Sequence, residues 1–435
     1  METVRKEILP GVYLTALRSD KFKTGCLSVN LLTQLDRDTA SMNAVIPYVL
    51  RRGSRYHTDM EAVASSLDGL YGSYIEPVVR KIGEIQCIGF IASFADDRYL
   101  PAGSGVFESV AGLCGELLLT PNTKGGLLLP AYVESEKEKL LDNIRSRIND
   151  KRSYALFRLI EEMCCYEPFA VSRYGTEDTA ESIYYQKLTK HYRRLLSESP
   201  VEIFYCGSLD GEKCAGILSD ALAGMPRGAL NCDIGTDIRM NSVDEGVRCF
   251  EEELSVTQGK LVMGYRLGDC MEEPDLASIY VFNAVYGGCV TSKLFMNVRE
   301  KLSLCYYASS GVDVHKGLMF VSSGVDFDKY EEAKAEILAQ LETVKNGDIS
   351  DDELTAAKKS VASDLRAAMD SQYNLEGFYL ANTIDGLDFD PMELAALVED
   401  VGIDDVVKIA QSLVPDAVYF LRGNGGEEEG YPDEA

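Results

Sequence analysis

The sequence predicts an α+β protein built from two tandem, homologous α/β-sandwich domains. Three observations carry that expectation. The chain has 435 residues, 46% hydrophobic and 26% charged, too long for one ordinary core and apolar enough for two. The same order of elements, strand, helix, glycine, helix, tyrosine and strand, can be read twice along it. Landmarks also recur at one spacing: Gly53 to Gly288 and Tyr71 to Tyr306 are each 235 positions apart (288 − 53 and 306 − 71). A two-copy repeat is the economical explanation, with chance similarity between two α+β domains as the alternative.

In the first copy a strand is expected at about residues 26–32 and a helix at about 40–50, followed by Gly53-Ser54. Thr58 and Glu61 have the spacing of a capping box and predict a second helix. Leu70-Tyr71-Gly72-Ser73-Tyr74 then leads into strands near 76–80 and 85–95. The second copy gives a strand at about 260–267, a helix at about 276–286, Gly287-Gly288, a short helix to Lys301, Tyr306-Tyr307 and a strand near 318–325. Asp97-Arg98-Tyr99 and Asp328-Lys329-Tyr330 extend the match four residues out of register. Ser350 and Glu353 form another capping box, and Leu354, Ala357, Val361, Leu365 and Met369 then recur on one helical face, a core stripe. The boundaries expected are an N-terminal domain at 1–224, a linker at 225–246, a C-terminal domain at 247–424, and a disordered acidic tail at 425–435.

The formal charge of −27 argues against nucleic acid and anionic membranes as partners. It suits a basic peptide or protein, or simply solubility. No apolar segment follows Met1-Glu2-Thr3-Val4-Arg5-Lys6, and no run approaches the roughly 18 apolar residues that span a bilayer, so a cytoplasmic protein is expected. The twelve cysteines include no C-x-x-C pair and are expected to be reduced, with Cys87, Cys114, Cys206 and Cys249 buried. There are three histidines. His57 lies near Asp59 and Glu61, His191 reads as an exposed helix residue, and His315 as part of a hairpin turn. None predicts a metal site. No P-loop and no G-x-S-x-G elbow occurs.

The most informative stretch runs from Gly287-Gly288-Cys289-Val290-Thr291-Ser292-Lys293-Leu294-Phe295 through Arg299 and Tyr306 to Gly311. It resembles the second-domain substrate-binding signature of the insulinase/pitrilysin metallopeptidases, a family that includes the mitochondrial processing peptidases. The resemblance implies that Arg299 and Tyr306 contact a substrate carbonyl or backbone, a role that suits two hydrogen-bond donors. The plainer alternative is a structural ion pair for Arg299 and sheet packing for Tyr306. Gly287 and Gly288 are expected to permit a tight backbone turn.

Active members carry H-x-x-E-H on a first-half helix, five positions before a glycine. Aligning that glycine on Gly53 puts Ala44-Val45-Ile46-Pro47-Tyr48 where the motif belongs. Ala44 and Tyr48 replace the zinc-binding histidines, and Pro47 replaces the glutamate that activates water. The family's later E-x-E-x-x-x-E-E-I pattern fits Glu136 to Ile144 and puts Asn143 at the third ligand position. The resemblance therefore implies no catalytic residue, metal or cofactor in this chain, with zinc only in a partner subunit. It further implies a heterodimer with a zinc-bearing homologue and a peptide or protein substrate. It is similar in particular to bacterial members associated with the 5-aminopentanol modification of elongation factor P. A purely structural protein, like the non-proteolytic family members in respiratory complexes, is the other reading.

Overall fold

Two mixed sheets with one shared pairing plan organise the computed structural model, which describes residues 2–244, 246–270 and 275–423. The expected tail at 425–435 lies outside the described residues. The first sheet runs Glu2–Leu9, Val12–Arg18, Val201–Gly207, Thr24–Gln34, Ile85–Ala95 and Tyr74–Ile82 in spatial order. The second runs Arg248–Leu254, Val414–Gly423, Gly259–Arg266, Leu318–Val325 and Cys305–Asp313. In each, the last four strands are mutually antiparallel and the strand before them is parallel to its neighbour. The first sheet adds one antiparallel edge strand, Glu2–Leu9. This common topology is the physical form of the sequence repeat. Central strands such as Val201–Gly207 are buried along their whole length, because helices cover both faces and no polar alternation survives.

The packing does not follow a linear division at 225–246. One compact unit comprises the chain up to Arg145, Val171–Thr236 and Ala368–Asp388; the other comprises Ser146–Ala170, Asp237–Ala367 and the chain from Phe389. Each sheet has two apolar faces, and one of them is closed by a helix from the other half of the sequence. In the second unit, helix Lys151–Met163 lays Ala155, Leu159 and Met163 on Val262, Leu318 and Tyr419. In the first, helix Gln372–Asp385 lays Leu375 on Leu17, Cys26 and Phe204. Its buried Glu376 accepts from Arg80 at 2.5 Å and Asn30 at 3.3 Å. The described residues from Pro226 to Val247 form no helix or strand, yet the start of the segment is tied down. Arg227 donates to the carbonyls of Pro10, Leu196 and Ser199 at 2.8–2.9 Å.

Several local expectations need correction. Helix Met60–Gly69 is capped by Asp59, whose Oδ1 accepts the Ala62 N–H at 2.8 Å, and not by Thr58. The Ser350/Glu353 box is present in both directions, at 2.8 and 3.2 Å. On the helix it opens, Asp351–Ala368, only Ala357 and Ala362 are fully buried; Leu354, Val361 and Leu365 are half-buried, as is Met369 just past its end. Cys87, Cys114 and Cys206 are buried, but Cys249 is exposed because its edge strand alternates.

His191 is buried and not exposed, on helix Tyr185–Glu198. Its Nε2 meets Asn43 Oδ1 at 2.5 Å, and its Nδ1 accepts from Arg194 at 3.2 Å. That arrangement requires a neutral ring protonated at Nε2. Burial, with Arg194 and Lys187 nearby, pushes it down to about 4 from an ordinary 6.5. Between these values the unfolded chain binds a proton that the folded one refuses, so stability is full above pH 6.5 and falls as the pH drops toward 4. The loss should total about 3 kcal/mol. Denaturant titrations of His191→Gln across this window should show a shallower slope than the parent.

Candidate functional site

The positions read as a degenerate zinc site converge within the first unit. Ala44, Tyr48 and Asn143 line one cavity of about 120 Å³, together with Val45, Glu136, Lys139, Leu140 and Tyr174. Ala44 and Tyr48 are four residues apart on helix Ala40–Arg51 and so share a face. Asn143 comes from helix Pro130–Ser146. Pro47 is buried inside the first helix and does not line the cavity. It has no amide proton to donate to the preceding turn.

Glu136 is the feature the sequence reading passed over, although it stands in the quoted glutamate pattern. It is buried, and its Oε1 accepts from Arg52 Nε at 2.6 Å and Lys139 Nζ at 2.9 Å. Burial raises the Tyr48 phenol above its ordinary value. The lining therefore offers a methyl group, a protonated phenol, a carboxamide and a carboxylate already matched by two cations. These groups do not fit a zinc ion, which needs imidazole, thiolate or free carboxylate donors. The cluster near His57 is likewise spent: Nδ1 faces Glu116 at 2.8 Å and Asp59 caps a helix. Among the described residues, no group of three His, Cys, Asp or Glu side chains could hold a metal.

The glycine-to-tyrosine segment lies in the second unit. Gly287 and Gly288 do not form a left-handed turn; Ala284–Gly288 is a π-helical turn. Glycine is needed there for close approach. A Cβ on Gly287 would sit 2.6 Å from the Ser310 backbone nitrogen, and one on Gly288 would sit 2.9 Å from the Asn283 carbonyl oxygen. Helix Leu294–Lys301 follows, anchored by fully buried Leu294 and Val298 and by Lys293, which meets Glu353 at 2.8 Å. It ends at Ser303, with φ +51°. There the Ser303 N–H bonds the Arg299 carbonyl and the Leu304 N–H bonds the Val298 carbonyl, both at 3.1 Å, each one residue wider than in a Schellman ending because the helix is π-wound.

A register shift between Cys305 and Tyr307 leaves Tyr306 in a β-bulge, which turns its ring outward. The ring is 59% exposed, and its hydroxyl donates to Asp326 Oδ1 at 3.1 Å. That bond lifts the phenol above its ordinary value. Arg299 lies over the Phe295 ring at 4.7 Å and faces Glu300 at 3.6 Å, still 40% exposed. The structure thus gives Arg299 no buried ion pair and does not pack Tyr306 into the sheet. Tyr307, its neighbour, is covered instead by the Arg152 guanidinium at 4.2 Å. No hydrogen bond joins Arg299 to Tyr306; Asp326 is a partner that nothing in the sequence signalled.

Residues 182–361 match the model of the peptidase M16 inactive domain. The chain is also 31% identical over 418 residues to the probable inactive metalloprotease YmfF of Bacillus subtilis, covering 96% of this chain and 97% of that one. The chain belongs to the M16 peptidase family. A conserved protein from Enterococcus faecalis shares the fold with a TM-score of 0.87 and 25% identity, over 98% of this chain and 100% of that one. A peptidase M16 inactive domain from Pseudomonas fluorescens superposes with a TM-score of 0.77 at 16% identity, over 99% and 100%. This M16 chain is an inactive-peptidase homologue, of the insulinase type that its glycine-to-tyrosine segment resembles. No helix among its described residues is long and apolar enough to cross a membrane.

Proposed function

We propose that this chain is the non-catalytic member of an M16 pair, binding a zinc-bearing homologue and presenting Arg299 and Tyr306 to a peptide held at the partner's metal. One contrast carries the reading. The cavity where the resemblance places zinc is lined by groups that do not suit it, while the second unit keeps an exposed guanidinium and an exposed phenol on a built helix-to-bulge segment. Both donors suit a carbonyl oxygen that gains negative charge as water adds to it. The two glycines, the buried Leu294 and Val298 anchors and the bulge serve to hold that segment in place. Modification of elongation factor P is the pathway in which we place the pair, on the resemblance of this chain to bacterial members associated with it.

Arg299→Ala and Tyr306→Phe, each co-purified with the zinc-bearing homologue, should lower turnover on the order of tenfold to a hundredfold. Assembly should be unchanged, because both side chains are exposed. Unchanged turnover by both variants would favour the purely structural reading. A peptidase activity in the isolated chain that a chelator abolishes would overturn the pairing. Intact-mass analysis of elongation factor P from a deletion strain tests the pathway separately; unaltered modification would remove it from the proposal.

A further inference from the structure

A second concavity in the first unit has no part in this reading. It is a groove of about 530 Å³, a volume in the ordinary range for small-ligand sites. Buried Leu128, Tyr192 and Leu196 contribute to its lining, and so do Arg55 and Arg193. Its thirteen lining residues include these two arginines and no acidic residue, in a chain where acidic residues outnumber basic ones 70 to 43. Chance composition would favour the opposite sign.

Both arginines are exposed at the groove. The Arg55 backbone N–H bonds the Thr120 carbonyl at 2.9 Å, and its guanidinium stands 5.8 Å from the Tyr56 ring centre. Arg193 donates one N–H to the Gly126 carbonyl. Among the described residues, neither has a carboxylate within ion-pair distance and none accepts from the Arg55 side chain. A guanidinium presents five N–H donors in a planar fork that matches a carboxylate or phosphate. Two such forks beside an apolar surface call for a ligand with a charged end and a hydrocarbon body.

We propose that this groove binds a small organic anion, an apolar body bearing a carboxylate or phosphate held by Arg55 and Arg193. The site is independent of the degenerate zinc cavity and of Arg299 and Tyr306.

Titration calorimetry on the full chain tests it with benzoate, phenyl phosphate, inorganic phosphate and neutral benzamide. Benzoate or phenyl phosphate should bind at one saturable site and weaken with added salt; whichever binds more tightly identifies the charged group. Inorganic phosphate and benzamide should each bind at least about tenfold more weakly, lacking the body or the charge. Arg55→Gln and Arg193→Gln should each weaken the preferred anion about tenfold, with circular dichroism and melting temperature unchanged. Benzamide binding as well as benzoate, unaltered affinity in both variants, or no binding of either aromatic anion would overturn the proposal. Binding of an oligoglutamate peptide but of neither aromatic anion would assign the groove to a protein partner and overturn it equally.

Discussion

Replacing Glu167 with glutamine is expected to destabilise the second unit by about 3–5 kcal/mol, the cost of breaking a buried ion pair from one side. Glu167 Oε1 accepts from Arg266 Nη2 at 2.7 Å and its Oε2 meets Lys316 Nζ at 2.6 Å; both cations are completely buried. Asp416 holds the other edge of Arg266 at 2.7 Å and is shared with Arg248 at 2.5 Å. Glutamine keeps the shape but removes the negative charge that faces both interior cations. The residue also lies in Ser146–Ala170, the segment that the first half of the sequence contributes to this unit. Its loss should therefore loosen helix Lys151–Met163 from the sheet. Burial pushes the Glu167 carboxyl up, but Arg266 and Lys316 outweigh it and hold the group below its ordinary 4.5. The stabilisation is present above that value and is lost as pH falls through the lower folded one. Calorimetry of the parent should show this acid-side loss, and Glu167→Gln should lack it. A change under about 1 kcal/mol would show that the cluster behaves like an exposed pair.

What could be read from the sequence was local or periodic. Gly53 and Gly288 stood out as landmarks because a side chain at either would strike backbone: His57 O lies 2.8 Å from a Cβ at Gly53, and Asn283 O lies 2.9 Å from one at Gly288. Ala44 and Tyr48 came from aligning the family's motif on Gly53, and Asn143 from its glutamate pattern, so all three rested on the resemblance. The exchange of helices was not legible. Lys151–Met163 and Gln372–Asp385 each have an apolar face, but nothing in such a face says which sheet it meets. Glu376 and Glu167 look like surface glutamates until Arg80, Arg266 and Lys316 arrive from distant positions. His191 was misread because Lys190, Arg193 and Arg194 surround it in sequence, while its ring turns inward to Asn43. Asp59 and Thr58 are both good caps one residue apart, and only geometry chooses between them.

Installing the family's zinc residues at the four positions that the resemblance aligns with them is expected to create a metal site. The combined variant Ala44→His, Pro47→Glu, Tyr48→His and Asn143→Glu places two imidazoles one turn apart on helix Ala40–Arg51 and a carboxylate across the same cavity. Replacing Pro47 returns a backbone N–H to the helix interior but puts a carboxylate at a buried position, so the variant is compared with its own metal-free form. After dialysis the variant is expected to retain about one zinc per chain by elemental analysis, where the parent retains none. Binding to the folded state alone should raise the melting temperature, and a chelator should reverse the gain. The cavity still contains Lys139, whose ammonium sits 2.9 Å from Glu136. Cation and zinc would repel across a few ångströms, screened by solvent because the Lys139 side chain is largely exposed, an effect on the order of a kcal/mol. Lys139→Gln added to the four should accordingly tighten zinc by about tenfold. A folded variant that holds no zinc with or without Lys139 would place the ancestral site somewhere other than this cavity. Tight binding would show that the backbone here has the shape to hold the metal and that these side chains alone decide its binding.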